Sequence, residues 1–123
     1  MMECKSYNKL VRDNTVKVLS ENGLADNIKV DTARTEAELN TLIYNKLLEY
    51  ANRLKENCEK TGAFNITDIV NLQEILDKIK HEAHFTKADY KIEQERIAAS
   101  NGKFDLNIVL KYLEKEMWGS KDD

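Results

Sequence analysis

Proline is absent from this chain, and glycine occurs four times in 123 residues. With no ring to break a helix and few residues suited to left-handed backbone, the sequence favours long helices with few tight turns. Cysteine is scarce too. Cys4 and Cys58 stand far apart without metal-ligand spacing, and in a reducing compartment both are expected to stay free thiols. A cationic excess is also missing: the formal charge is −3, which argues against a nucleic-acid duplex as partner, since duplex binders carry a basic stripe. No apolar run is long enough to suggest a membrane span, and the opening MMECKSYNK has no hydrophobic signal core, so a cytoplasmic protein is expected. No repeat, low-complexity tract or linker divides the chain. One domain, residues 1–123, is expected around a modest core.

What is present is helical periodicity. The segment NTVKVLSENG fits a short helix with Val16 and Leu19 on one side and Gly23 at its end. DNIKVDTA then alternates Ile28 and Val30 with polar residues, which suits a short extended stretch near 27–33. A long helix is predicted over about 36–60. Thr35 and Glu38 form a capping box, and Leu39, Leu42, Ile43, Leu47, Tyr50, Ala51 and Leu54 recur at three- and four-residue spacing. A second is predicted over about 66–84, with Asn65 and Asp68 capping each other and Ile69, Leu72, Ile75, Leu76 and Ile79 as its buried stripe. The two are expected to lie antiparallel, sharing a core of Leu47, Leu54, Ile69, Leu72, Ile75 and Ile79. A third helix opens at Thr86 and Asp89 and closes near Asn101 and Gly102. The tail is open to two readings: residues 104–110 alternate like a strand, whereas the segment after Tyr112 reads as helix, with Trp118 anchoring it. The fold class is therefore mainly all-α, a helical bundle with at most short extended segments.

Two clusters carry chemistry. His81 and His84 sit three apart, but with no further ligands nearby they read as a polar helix face. The stretch YNKLVRDN, residues 7–14, packs Lys9, Arg12 and Asp13 around apolar Leu10 and Val11. On composition alone it reads as an N-terminal clasp.

The order of these pieces resembles the all-α nucleoside triphosphate pyrophosphohydrolases, the MazG-like group that includes phosphoribosyl-ATP pyrophosphohydrolases. The heptapeptide Tyr7-Asn8-Lys9-Leu10-Val11-Arg12-Asp13 matches the opening signature of the small single-domain branch. Lys46, Leu47 and Glu49 match the start of the next helical motif. NITDIVNLQ stands where the family has ELADVLEVI, and Gly102, Lys103, Phe104 and NIVL stand at its closing turn and apolar tail. The resemblance implies a helical pocket that holds Mg²⁺ on facing carboxylates and cleaves a nucleoside triphosphate to a monophosphate and pyrophosphate. It also turns YNKLVRDN into part of a nucleotide pocket, with Lys9 and Arg12 toward phosphate and Asp13 holding Arg12.

The chain departs from the family where the metal would bind. The EExxE frame falls on Glu49, Tyr50, Ala51, Asn52 and Arg53, and the ExxD frame on Asn65, Ile66, Thr67 and Asp68. Of five acids, Glu49 and Asp68 remain, and Arg53 adds a cation. Asn71 replaces a further Glu, and Val16 a proline. A guanidinium at about 6 Å from a divalent ion costs roughly 5 kcal/mol at an effective dielectric near 20. Magnesium at Glu49 and Asp68 is thus expected to be weak or lost. A shifted register through Glu56, Glu59, Glu74 and Asp77 reads as solvated helix charge. The expected protein binds a nucleotide or other phosphorylated small molecule through Lys9, Arg12 and Arg53. Its pocket draws on Asn8, Asp13, Lys46, Asn52, Asn65, Asn71 and Phe104, with weak or no hydrolysis. The alternatives are an active pyrophosphohydrolase and a non-catalytic protein scaffold. Long apolar stripes on so short a chain suggest a homodimer or higher homo-oligomer.

Overall fold

The computed structural model describes residues 8–23 and 29–114, and among them it is all-α: four helices and no strand. These are α1 (Thr15–Glu21), α2 (Glu36–Thr61), α3 (Ile66–Ala83) and α4 (Lys87–Asn101). The stretches at 29–33 and 104–110 form no strand, and Tyr112 to Glu114 lie outside any helix. Tyr7, Cys4, Ile28 and Trp118 lie outside the described residues, as does most of the tail helix expected after Tyr112.

The chain divides into two compact units, one running to His84 and one starting at Phe85. In the first unit α2 and α3 form a helical hairpin. Gly62 ends α2 at φ 78, a left-handed backbone that lets its N–H reach back to the Cys58 carbonyl at 2.7 Å. Asn65 then opens α3, its side chain accepting from the Asp68 N–H at 2.9 Å. The helices run antiparallel: Asn57 meets Asp68 near the turn, while Lys46 and Tyr50 share a cleft with Ile75 and Lys78 farther from it.

The caps differ from the sequence expectation in two places. Thr35 accepts from the Glu38 N–H at 3.1 Å, but the Glu38 carboxylate returns to the Arg34 N–H, one residue earlier than a capping box requires. Asp68 does not return to Asn65 at all, because Asn57 holds both its oxygens. Thr86 and Asp89 do form the reciprocal box that starts α4 in the second unit.

The hairpin core is small. Ile43 and Ile75 are the buried apolar side chains among the described residues, at 3% and 8% exposure. Leu47, Leu54, Leu72 and Ile79 are half-buried around them. Ile69 and Leu76 are not in the core. The face that α3 turns to α2 carries Asp68, Leu72, Ile75 and Ile79. At 100° per residue Ile69 and Leu76 fall on its flank, beside exposed Ile66 and Val70. Tyr44 and Leu48 are similarly exposed on α2.

Candidate functional site

A cleft of about 250 Å³ opens between the N-terminal segment and the hairpin, lined by Leu10, Val11, Arg12, Lys46, Tyr50, Glu74, Ile75 and Lys78. One wall exists because Arg12 ties the segment to α3. Its guanidinium donates to both Glu74 oxygens, at 2.7 and 3.1 Å, and to Asn71 Oδ1 at 2.7 Å. This two-pronged geometry is the strong form of a cation–carboxylate contact. The hydrogen bond from Arg12, and then its charge, hold the Glu74 carboxyl below the usual carboxylate range. In return the hydrogen bond and charge of Glu74 raise the Arg12 pKa, with Tyr50 adding to the effect.

On the α2 side the cleft is lined by Lys46 and Tyr50, and Lys46 belongs to a cluster of charges with Glu49, Arg53 and Lys9, which do not line the cleft themselves. Lys46 is 7% exposed, one turn before Tyr50 on the inner face of α2. Its Nζ reaches both Glu49 oxygens, at 3.2 and 3.1 Å, and lies 5.4 Å from the Tyr50 ring centre. Arg53 donates to the same carboxylate at 3.3 Å and also lies 5.4 Å from the Tyr50 ring centre. Lys9 approaches Glu49 from the N-terminal segment at 3.6 Å. Burial pushes the Glu49 carboxyl up, but the hydrogen bonds and charge of Lys46, with the charges of Lys9 and Arg53, outweigh it and hold the group below its ordinary range. Lys78 is paired with Glu82 at 3.4 Å.

Several expected site residues are therefore brought together: Lys9, Lys46, Glu49 and Arg53 in one cluster, Arg12 and Asn71 in another, with Lys46 and Arg12 both lining the cleft. Lys9, Glu49, Arg53 and Asn71 stand beside the cleft without lining it, and Asn8, Asp13 and Asn52 are exposed and do not line it. Asn65 serves as a helix cap. Phe104 is fully exposed and belongs to the second unit.

Glu49 and Asp68 are held by different partners. Glu49 is engaged by three cations, and a divalent ion there would meet all three. Asp68, 4% exposed, takes both its side-chain contacts from Asn57, at 3.2 and 3.1 Å. Asn57 lies eight residues beyond Glu49, about 12 Å along the helix axis. Among the described residues no three His, Cys, Asp or Glu side chains gather as a metal centre. His81 and His84 face each other at 6.4 Å between ring centres, with His84 as the left-handed cap of α3.

Glu74, Asn57 and Tyr50 are the residues that sequence reading undervalued. Glu74 read as solvated charge because its partner lies 62 positions away. Asn57 carried one local signal, a polar residue on the apolar face that also holds Leu54. Comparison with family models, curated proteins and solved structures finds no match.

Proposed function

We propose that the cleft binds a phosphorylated small molecule, a nucleoside triphosphate or a related polyphosphate, through its own cations rather than through Mg²⁺. On this reading the chain is a MazG-like protein with a degenerate metal site and weak or no pyrophosphohydrolase activity. The observation that carries the reading is the local charge. Lys9, Arg12, Lys46 and Arg53 gather around two carboxylates, Glu49 and Glu74, in a chain of net charge −3. Basic side chains concentrated against the sign of the whole molecule supply what a phosphate needs, and Tyr50 offers an aromatic face beside them. The engaged state of Glu49 and the burial of Asp68 favour phosphate neutralisation by side chains over a metal ion.

The test is calorimetric titration of inorganic pyrophosphate and of a nucleoside triphosphate without Mg²⁺, alongside an assay of Mg²⁺-dependent pyrophosphate release. Binding without metal and slow release are expected. Arg12→Ala should weaken binding roughly ten- to a hundredfold, since charge-assisted hydrogen bonds contribute about 1.5–3 kcal/mol each. Brisk metal-dependent release would instead identify an active hydrolase, and no binding would leave a scaffold.

The same reading includes a homo-oligomer. A hairpin with two buried apolar side chains stabilises itself poorly, while Ile66, Ile69, Val70 and Leu76 form an exposed stripe on α3. A second copy of the chain covering that stripe would complete the core. Sedimentation at micromolar concentration should show a dimer or larger species, and Ile69→Glu should shift it to monomer; a wild-type monomer would count against the idea.

A further inference from the structure

We infer that the cleft takes a phosphate ester whose phosphates carry a small apolar group, an alkyl diphosphate in preference to a nucleotide or a bare inorganic anion. This rests on the phosphate-binding reading above and names the group attached to the phosphates. Each side of the cleft contributes one cation together with an apolar or aromatic surface. The N-terminal segment brings Arg12 with Leu10 and Val11, α2 brings Lys46 with Tyr50, and α3 brings Lys78 with Ile75. Glu74 is the acid in the lining, and Arg12 holds both its oxygens. The carboxylates paired with Lys46 and Lys78, which are Glu49 and Glu82, do not line the cleft. A ligand inside therefore meets cations and hydrocarbon together. It meets them at close quarters, because the volume of about 250 Å³ is below the usual range for a drug-sized ligand.

A bare polyanion uses part of that lining and wastes the rest. Its oxygens gain from the cations, but against Leu10, Val11 and Ile75 they lose water and receive nothing in return. A sugar next to the phosphates would set its hydroxyls against the same hydrocarbon. Ile75 is a buried side chain of the hairpin core, at 8% exposure, so the cleft reaches that core directly. Val11 is 46% exposed and still has apolar surface for a ligand to cover. An apolar ester group covers such surface, and each methylene fully buried raises affinity about fourfold.

The experiment titrates dimethylallyl diphosphate, adenosine diphosphate and sodium pyrophosphate into the full chain by calorimetry in metal-free buffer. The probes carry similar charge at neutral pH, so their differences report the attached group. Wild type should bind the alkyl diphosphate about tenfold more tightly than either of the others. Val11→Ser should weaken the alkyl diphosphate at least about threefold more than it weakens pyrophosphate. Val18→Ser is the control, a valine equally exposed at 46% but on α1 and outside the lining, and it should leave the preference unchanged. Both variants should keep the helical circular dichroism of wild type, since neither valine is buried. An adenosine diphosphate or pyrophosphate affinity equal to that of the alkyl diphosphate overturns the inference and leaves the phosphate reading standing. So does a preference that Val11→Ser keeps, or that Val18→Ser loses as readily. Sedimentation with phosphatidylcholine vesicles containing phosphatidic acid, without affinity for the free ester, overturns it by making a lipid headgroup the ligand. If no diphosphate and no vesicle binds, both readings fall together.

Discussion

Asn57→Ala is expected to destabilise the protein by about 2–3 kcal/mol, measured by urea unfolding followed through the helical circular dichroism signal. Asn57 supplies both side-chain hydrogen bonds to Asp68, which is 4% exposed at the start of α3. A hydrogen bond to a charged group contributes about 1.5–3 kcal/mol, and leaving a buried carboxylate without its donor adds a desolvation penalty. Adding Asp68→Ala to Asn57→Ala should recover part of the loss, because the stranded charge goes with it. Equal stability of wild type and Asn57→Ala would show that the α3 N-terminus alone carries Asp68, through its N–H groups and dipole.

Lys46→Met is expected to have the largest effect on ligand binding, a loss of about a hundredfold or more for pyrophosphate. Lys46 is the cation that both lines the cleft and grips Glu49 through two oxygens. Its removal takes away a donor and leaves the Glu49 carboxylate less neutralised beside the incoming anion, so both changes act in one direction. Methionine keeps the apolar stem that packs at this 7% exposed position. The thermal midpoint should therefore move little, and the calorimetric titration separates a binding defect from an unfolded chain. Retained affinity in Lys46→Met would place the anion on Arg12 and Lys9 instead.

The helices were legible in the sequence because their signals are local. Thr35, Asn65 and Thr86 mark three starts through bonds that span three residues, and Gly62 and Gly102 mark two ends. The cationic cluster was legible in part for the same reason: Lys46, Glu49 and Arg53 lie three and four apart on one helix face. What the pattern hid is pairing across elements. Ile69 and Leu76 share the period of Ile75, and nothing in a periodicity says which of two adjacent stripes meets the partner helix. Asp68 was assigned by its spacing from Asn65, but the competing donor, Asn57, sits on the facing helix. Glu74 reads as solvated helix charge in the sequence because its meaning comes from Arg12, 62 positions away.

The span between those last two residues bears on the order in which the protein acquires its working parts. Asn57 and Asp68 are separated by 11 positions, whereas Arg12 and Glu74 are separated by 62. Closing the longer loop costs about 1.5 kcal/mol more chain entropy, and its reward includes the exposed Arg12–Glu74 ion pair with a neighbouring amide and the looser Lys9–Glu49 contact. The hairpin should therefore assemble first, and the N-terminal wall should settle onto it afterwards and come away from it first. Residues 8–14 belong at the weak end of the chain's hydrogen-exchange protection, while α2 and α3 belong at the strong end. The cleft is then a transient enclosure on a more durable hairpin, present for as long as Arg12 keeps its hold on Glu74.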